Sequence, residues 1–266
     1  MNAKTEEFLN LLLWTADRLL HPTFRNLTDS YEAWAYRNGL LKQLPRLERR
    51  GLIESADGAS ADRLYRLTAD GLRHALGGRD PEACWARPWD GRWRMVLFDV
   101  PGCKSRQREK LRDYLRLRGF GCLQKSVWVS PDPLTEQCQR LRGAAINVES
   151  LVLLEARPCA GESDAEIVAG AWDFARINDG YERDLNLLDR RPSGHARTEA
   201  SALTLRRWGG EERAAWTEAV MNDPLLPARI LPSGYLGQRA WRQRQSVLHE
   251  AGCQLQAFAL SRPRRA

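Results

Sequence analysis

Long apolar runs are missing from this 266-residue chain. The longest candidates, Leu11–Trp14 and Leu151–Leu154, are four residues each, far short of the ~20 that a membrane-spanning helix needs. No membrane partner is expected. Glu6 and Glu7 precede the first apolar stretch and no small-residue cleavage site follows it, so the pattern of a secretory leader is absent as well. Histidine is scarce: His21, His74, His195 and His249 are scattered. The six cysteines (Cys84, Cys103, Cys122, Cys138, Cys159 and Cys253) form no C-x-x-C pair. A structural zinc site wants thiolates and imidazoles at short fixed spacing, so reduced, partly buried thiols in a soluble intracellular protein are the expectation. The Gly77-Gly78 and Gly209-Gly210 pairs lack the strand-and-helix setting of a phosphate-binding loop. No nucleophile–histidine set stands out, and no cofactor is expected.

What is abundant is positive charge and tryptophan. Lys plus Arg number 41 against 34 Asp plus Glu, a net charge of +7, and there are ten tryptophans. With 43% hydrophobic and 28% charged residues, the composition is that of a folded chain with one to three domains.

Residues 1–78 read as a helical module with a hairpin. Apolar positions Phe8, Leu12 and Leu19 suit a helix over residues 5–20, ended by His21-Pro22. Asp29-Ser30 caps a second helix through Trp34, and Asn38-Gly39 marks a turn. From Leu40 to Arg50, Leu40, Leu41, Leu44 and Leu47 share one face while Lys42, Arg46, Arg49 and Arg50 lie mostly off it. Gly51 stops that helix. Pro45 requires it to start late or kink. Then Leu52-Ile53-Glu54, a polar tip Ser55–Asp62 containing no apolar run, Leu64–Leu67, and Thr68 capping Ala69–Leu76 complete "RLERRGLIE…LYRLTADG". This order is that of a winged helix-turn-helix. Its basic helix would enter the major groove of double-stranded DNA, and its tip, with Arg63, would reach phosphate. A charge run on a helix is more often a solvated face; the hairpin directly after it favours DNA.

Residues 79–92 form a Pro-marked linker in which Trp85 and Trp89 predict docking. Residues 92–158 change pattern. The strand Trp93–Val100, helix Ser105–Arg118, strands Phe120–Leu123 and Ser126–Val129, helix Leu134–Ala144 and strand Glu149–Glu155 make the ferredoxin-like βαββαβ order. Such a sheet leaves one face open, so the domain is expected to make a homodimer. Between Arg92 and Lys125 ten basic residues face three acidic ones. Arg108, Arg112 and Arg116 form a stripe, read with equal weight as phosphate contact or solvated surface.

Residues 162–260 read as helical: Asp164–Asp184 as one stretch, then Leu203–Met221 and Gln238–Gly252, with a loop over 190–198 and Pro-rich corners between Asp223 and Tyr235. The fold class is therefore α+β, as a winged helix-turn-helix, a ferredoxin-like domain and a mostly helical C-terminal domain.

With these segments in order, the chain resembles the PaaX family of bacterial transcriptional repressors. The resemblance rests on "WRMVLFDVP" (Trp93–Pro101), "GFGCLQKSVWVSP" (Gly119–Pro131) and "DPLLPARILPSGYLGQRAW" (Asp223–Trp241). It implies a sequence-specific repressor that binds a pseudo-palindromic operator as a homodimer and is released by an acyl-coenzyme A or other small effector. The stretch "TFRNLTDSYEAWAYRNG" (Thr23–Gly39) and Pro45 depart from the family pattern, which leaves operator and effector open. The aromatics Trp172, Tyr181, Trp208, Trp216 and Trp241 are effector candidates, with Arg206, Arg207, Arg239 and Arg242 for its phosphate. Residue by residue, core and solvated surface are the simpler readings. The middle segment also resembles the small ferredoxin-like nuclease-type subunit of CRISPR adaptation complexes, in which an Asp ends the first strand. Asp99 stands there and carries the alternative of a metal-dependent nuclease. Against it, an Asp after a strand commonly binds local amides, and one carboxylate per chain is thin for a metal. A scaffold that binds nucleic acid without sequence preference is the third reading.

Overall fold

The computed structural model describes residues 43–56, 64–75, 78–99, 105–134, 150–159, 161–192 and 198–260. The helices expected before Gln43, most of the hairpin tip with Arg63, Lys42, the helix over 134–144 and the basic tail fall outside these residues, except for Leu134 itself. The described chain is α+β. It forms two compact units: Met1–Asp80 with Gly180–Ala219 and Leu236–Ala266, and Pro81–Asp179 with Val220–Tyr235.

The second unit is built on a sheet. Strand β3 (Trp93–Asp99) is flanked by β5 (Val127–Ser130) and β6 (Ser150–Ala156), with β4 (Gly121–Gln124) outside β5. All pairs are antiparallel, which is the strand order of a ferredoxin-like sheet. β3 is nearly continuously apolar because it is central. Helix α4 (Ser105–Leu117) lays Leu111 and Leu115 on Val96, Phe98, Phe120 and Trp128. Gly119, at φ +81°, lets the chain turn out of α4 while the Phe120 amide returns to the Leu115 carbonyl at 3.0 Å. The hairpin β1 (Ile53–Ala56) and β2 (Leu64–Leu67) belongs to the first unit.

Two expectations are corrected in the second unit. The linker over 79–92 contains a short helix, α3 (Pro81–Ala86), which starts on its proline and buries Trp85. Trp89 is buried as expected of a docked segment. The single helix expected over Asp164–Asp184 is broken into α5 (Asp164–Ala171) and α6 (Phe174–Asp189). At the break Trp172 is extended (φ −129°, ψ 138°). Its indole donates to the Gly119 carbonyl at 3.2 Å and lies 6.1 Å from the Trp93 ring. Asp173 then accepts the Arg176 amide at 3.0 Å and restarts the helix.

In the first unit, α6 continues past Gly180 and packs with α7 (Glu199–Asn222) and α8 (Gly237–Leu260). Both later helices extend beyond their expected ends. Their shared core includes Tyr181, Leu185, Leu188, Leu205, Trp208, Trp216, Trp241 and Leu248.

Candidate nucleic-acid interface

Helix α1 (Leu44–Arg49) buries Leu44 and Leu47 and exposes Arg46, Arg49 and Arg50. Its described turns run from Leu44, with Pro45 in the first, where the lost amide costs nothing. Arg46 and Arg49 fall in the last turn, where the helix dipole favours cations. The Arg49 Nε reaches back to the Pro45 carbonyl at 3.2 Å.

The end of α1 is clipped to the hairpin by a few backbone bonds. Leu52 donates to the Leu47 carbonyl at 3.0 Å, and Thr68 donates to the Leu52 carbonyl at 3.1 Å. The Thr68 hydroxyl donates to the Gly51 carbonyl at 2.6 Å and accepts the Gly71 amide at 3.0 Å. That amide bond is the N-cap expected of Thr68, now opening helix α2 (Ala69–Ala75). Gly51 takes φ +67°, a region costly for side-chain-bearing residues. The frame therefore fixes the basic helix against the root of the hairpin.

The stripe on α4 is partly committed elsewhere. Arg112 donates to the Lys125 carbonyl at 3.1 Å. Arg116 pairs with Asp113 at 3.0 Å and lies 5.6 Å from the centroid of the Trp128 ring. Arg108 is half-buried. Asp99 is exposed at the end of β3, opposite Ser150 in register. Among the described residues no group of three or more His, Cys, Asp or Glu is arranged to hold a metal.

The residues put forward for an effector divide between the units. Trp172 belongs to the sheet's unit, whereas Tyr181, Trp208, Trp216 and Trp241 belong to the helical one, so neither unit brings all five together. Those four rings are core. Trp216 stacks on Trp241 at 5.3 Å, and Trp208 donates to the Leu187 carbonyl at 2.7 Å. Arg207, Arg239 and Arg242 are exposed and Arg206 is half-buried. A groove of about 370 Å³ lies elsewhere on this unit, lined by Gly180, Arg183, Asn186, Leu187, Arg190 and Ala215.

Two polar clusters escaped the sequence reading. In the sheet's unit Asp223 accepts the Leu225 amide at 2.7 Å and the Tyr235 hydroxyl at 2.5 Å. It thereby holds Leu225 at φ +50°, an uncommon backbone for a branched residue. In the helical unit Asp184, Glu212 and Arg244 are all buried. Asp184 falls three residues after Tyr181 and four before Leu188, so its place in the apolar stripe was the available signal.

Comparison with known proteins agrees with this architecture. Residues 86–168 match the family model described as the PaaX protein central Cas2-like domain. The chain is 27% identical over 184 residues to the transcriptional repressor PaaX of Escherichia coli (strain K12). That match covers 66% of this chain and 57% of the relative, so it spans little more than half the relative's length. A solved structure of an uncharacterised Mycobacterium tuberculosis protein shares the fold, with a TM-score of 0.54 and 21% identity, covering 94% of this chain and 96% of that one. The match to the PaaX central domain over β3 to α5, together with the likeness to a PaaX repressor, makes this chain similar to PaaX proteins through its middle segment.

Proposed function

We propose that this protein is a sequence-specific DNA-binding transcriptional repressor. The observation that carries the reading is the exposure of Arg46, Arg49 and Arg50 on a helix clipped to a hairpin and a capped following helix. The relative's name, transcriptional repressor, supports it. In this reading α1 enters the major groove and reads base edges, Arg63 at the wing touches phosphate, and Lys42 with the α4 arginines adds charge. The test is binding to DNA flanking the protein's own gene against scrambled DNA of equal length. Preference for the native sequence is expected; equal affinity at every salt concentration points instead to a non-specific scaffold.

The repressor works as a homodimer on a pseudo-palindromic operator, because a two-fold protein presents two equivalent helices. Support comes from the sheet: Val152 and Leu154 of edge strand β6 are each 45% exposed, and apolar side chains on an edge strand favour association. Light scattering is expected to give a dimer that survives deletion of residues 1–78. A small effector, of the acyl-coenzyme A class, releases the DNA. Exposed Arg207, Arg239 and Arg242 are its phosphate contacts. Calorimetry against a panel of such esters, paired with DNA release, tests this.

A further inference from the structure

The interior of the helical unit holds three charged side chains. Asp184 of α6 and Glu212 of α7 are wholly buried, and Arg244 of α8 is 2% exposed. One guanidinium therefore serves two carboxyls. Arg244 gives both its bonds to Glu212, at 2.5 and 3.3 Å, and lies 4.8 Å from the centroid of the Trp216 ring. Neither oxygen of Asp184 has a hydrogen-bond partner. The same three helices meet here through the Tyr181–Trp216 contact at 5.8 Å and the Trp216–Trp241 stack.

Two ionised carboxylates around one cation would leave an uncompensated negative charge in this interior. Burying such a charge is far more costly than taking up a proton. We propose that the helical unit contains a proton-operated catch: Asp184 is carried as the neutral acid, and its loss of a proton to water sets an unpaired carboxylate in this interior and loosens α6 against α7 and α8. The charged groups facing Asp184 are Glu212 from α7 and Arg244 from α8. On its own helix, Arg183 is engaged outward with Glu218; just beyond that helix's end, Arg191 is engaged with Glu250. Burial first, and the Glu212 charge second, push the Asp184 carboxyl up to about 8, with Arg244 pulling the other way.

The sign follows from proton linkage. An unfolded Asp ionises near its ordinary value of 3.8. Between that value and about 8 the folded chain holds one more proton than the unfolded chain, so stability falls as pH rises. Above both values the slope vanishes.

The experiment is thermal unfolding of the full chain from pH 6 to 9, followed by tryptophan fluorescence, for the wild type and Asp184→Asn. Between pH 6 and 8 the wild type is expected to lose ~5–10 °C of Tm relative to the variant. At pH 6 the variant should already be the more stable, because Asn mimics the neutral acid in the fold yet gains nothing by ionising on unfolding, and the two should converge only as pH falls towards 3.8. At pH 9 the variant should be the more stable. Parallel curves, or a variant weaker by the same amount at every pH, overturn the proposal. Asp184→Leu removes the titration without leaving an amide unpaired and should also flatten the profile. Failure of both variants to fold at pH 6 overturns it too. The outcome is independent of whether the chain reads DNA.

Discussion

The indole nitrogen of Trp85 donates to the hydroxyl of Tyr235 at 3.1 Å, across 150 residues of chain, within the sheet's unit. Tyr235 passes the bond on to Asp223, which holds the Leu225 backbone. The Leu225 carbonyl in turn accepts from Arg87, whose guanidinium also pairs with Asp132 at 2.7 and 3.0 Å. A chain of side-chain bonds thus joins α3, the end of β5 and the Pro-rich corner.

Tyr235→Phe keeps the ring and deletes the hydroxyl. The Trp85 indole and the buried Asp223 carboxylate are each left one bond short. Leaving a buried polar group short of a partner costs ~1–3 kcal/mol, more when it is charged. The variant is expected to lose ~2–4 kcal/mol, read as a lower urea midpoint for the sheet's unit, with the Phe174 edge contact at 5.9 Å intact. A midpoint unchanged from wild type would show that the hydroxyl chain is not stabilising.

Gly71 governs the hairpin of the first unit. A Cβ there would fall 1.8 Å from the Leu52 carbonyl oxygen, which is backbone and cannot swing aside. Gly71→Ala must therefore push α2 off the hairpin root and break the Thr68 frame that positions α1. A loss of ~3 kcal/mol or more is expected. Hydrogen exchange should speed up across Leu52–Leu67 and leave β3 to β6 unchanged.

Much of this was legible in the sequence, for local reasons. The strands of the sheet announce themselves because Gly119, Pro101 and Pro131 bracket short apolar runs. Thr68 is a cap followed by a short helix, and it caps as read. The break at Trp172-Asp173 was missed because neither residue is a Gly or Pro; the signal was Asp173, three residues before Arg176 and able to cap. The helix α3 was missed because Pro81 and Pro88 mark a linker as readily as a helix start and stop. Asp184, Glu212 and Arg244 do not stand out in the sequence, since their pairing depends on which helix faces meet, and that is decided between helices rather than within them.

Arg94 is the buried cation of the sheet. It bonds Asp90 at 2.6 and 2.8 Å, Glu155 at 3.3 Å and the Pro131 carbonyl at 3.1 Å. The bond from Arg94 is the main cause holding the Asp90 carboxyl below its ordinary range. A lowered acid stabilises the fold above its unfolded value and loses that contribution as pH falls through the lowered value. Arg94→Lys keeps the charge and loses the fork. Its acid unfolding midpoint is expected to move to higher pH than that of wild type, followed by circular dichroism between pH 5 and 2. An identical midpoint would show that Asp90 does not feel Arg94.

DNA reading makes the last prediction, and the structure ranks its residues. Arg46 and Arg50 are exposed on α1 and its C-cap, whereas Arg112 is engaged with Lys125 and Arg116 with Asp113. Alanine at Arg46, Arg49 and Arg50 together should cost ~1–3 kcal/mol for each base edge that no longer has its arginine, and specificity should relax. Alanine at Arg108, Arg112 and Arg116 should leave sequence preference intact. If those arginines touch phosphate, it should reduce the salt slope by up to ~0.9 per phosphate. Fluorescence anisotropy at several salt concentrations, on native and scrambled operators, separates the two effects. A triple α1 variant that still prefers the native operator by the wild-type ratio would place sequence reading on another surface, and an unchanged salt slope in the α4 variant would return that stripe to solvent.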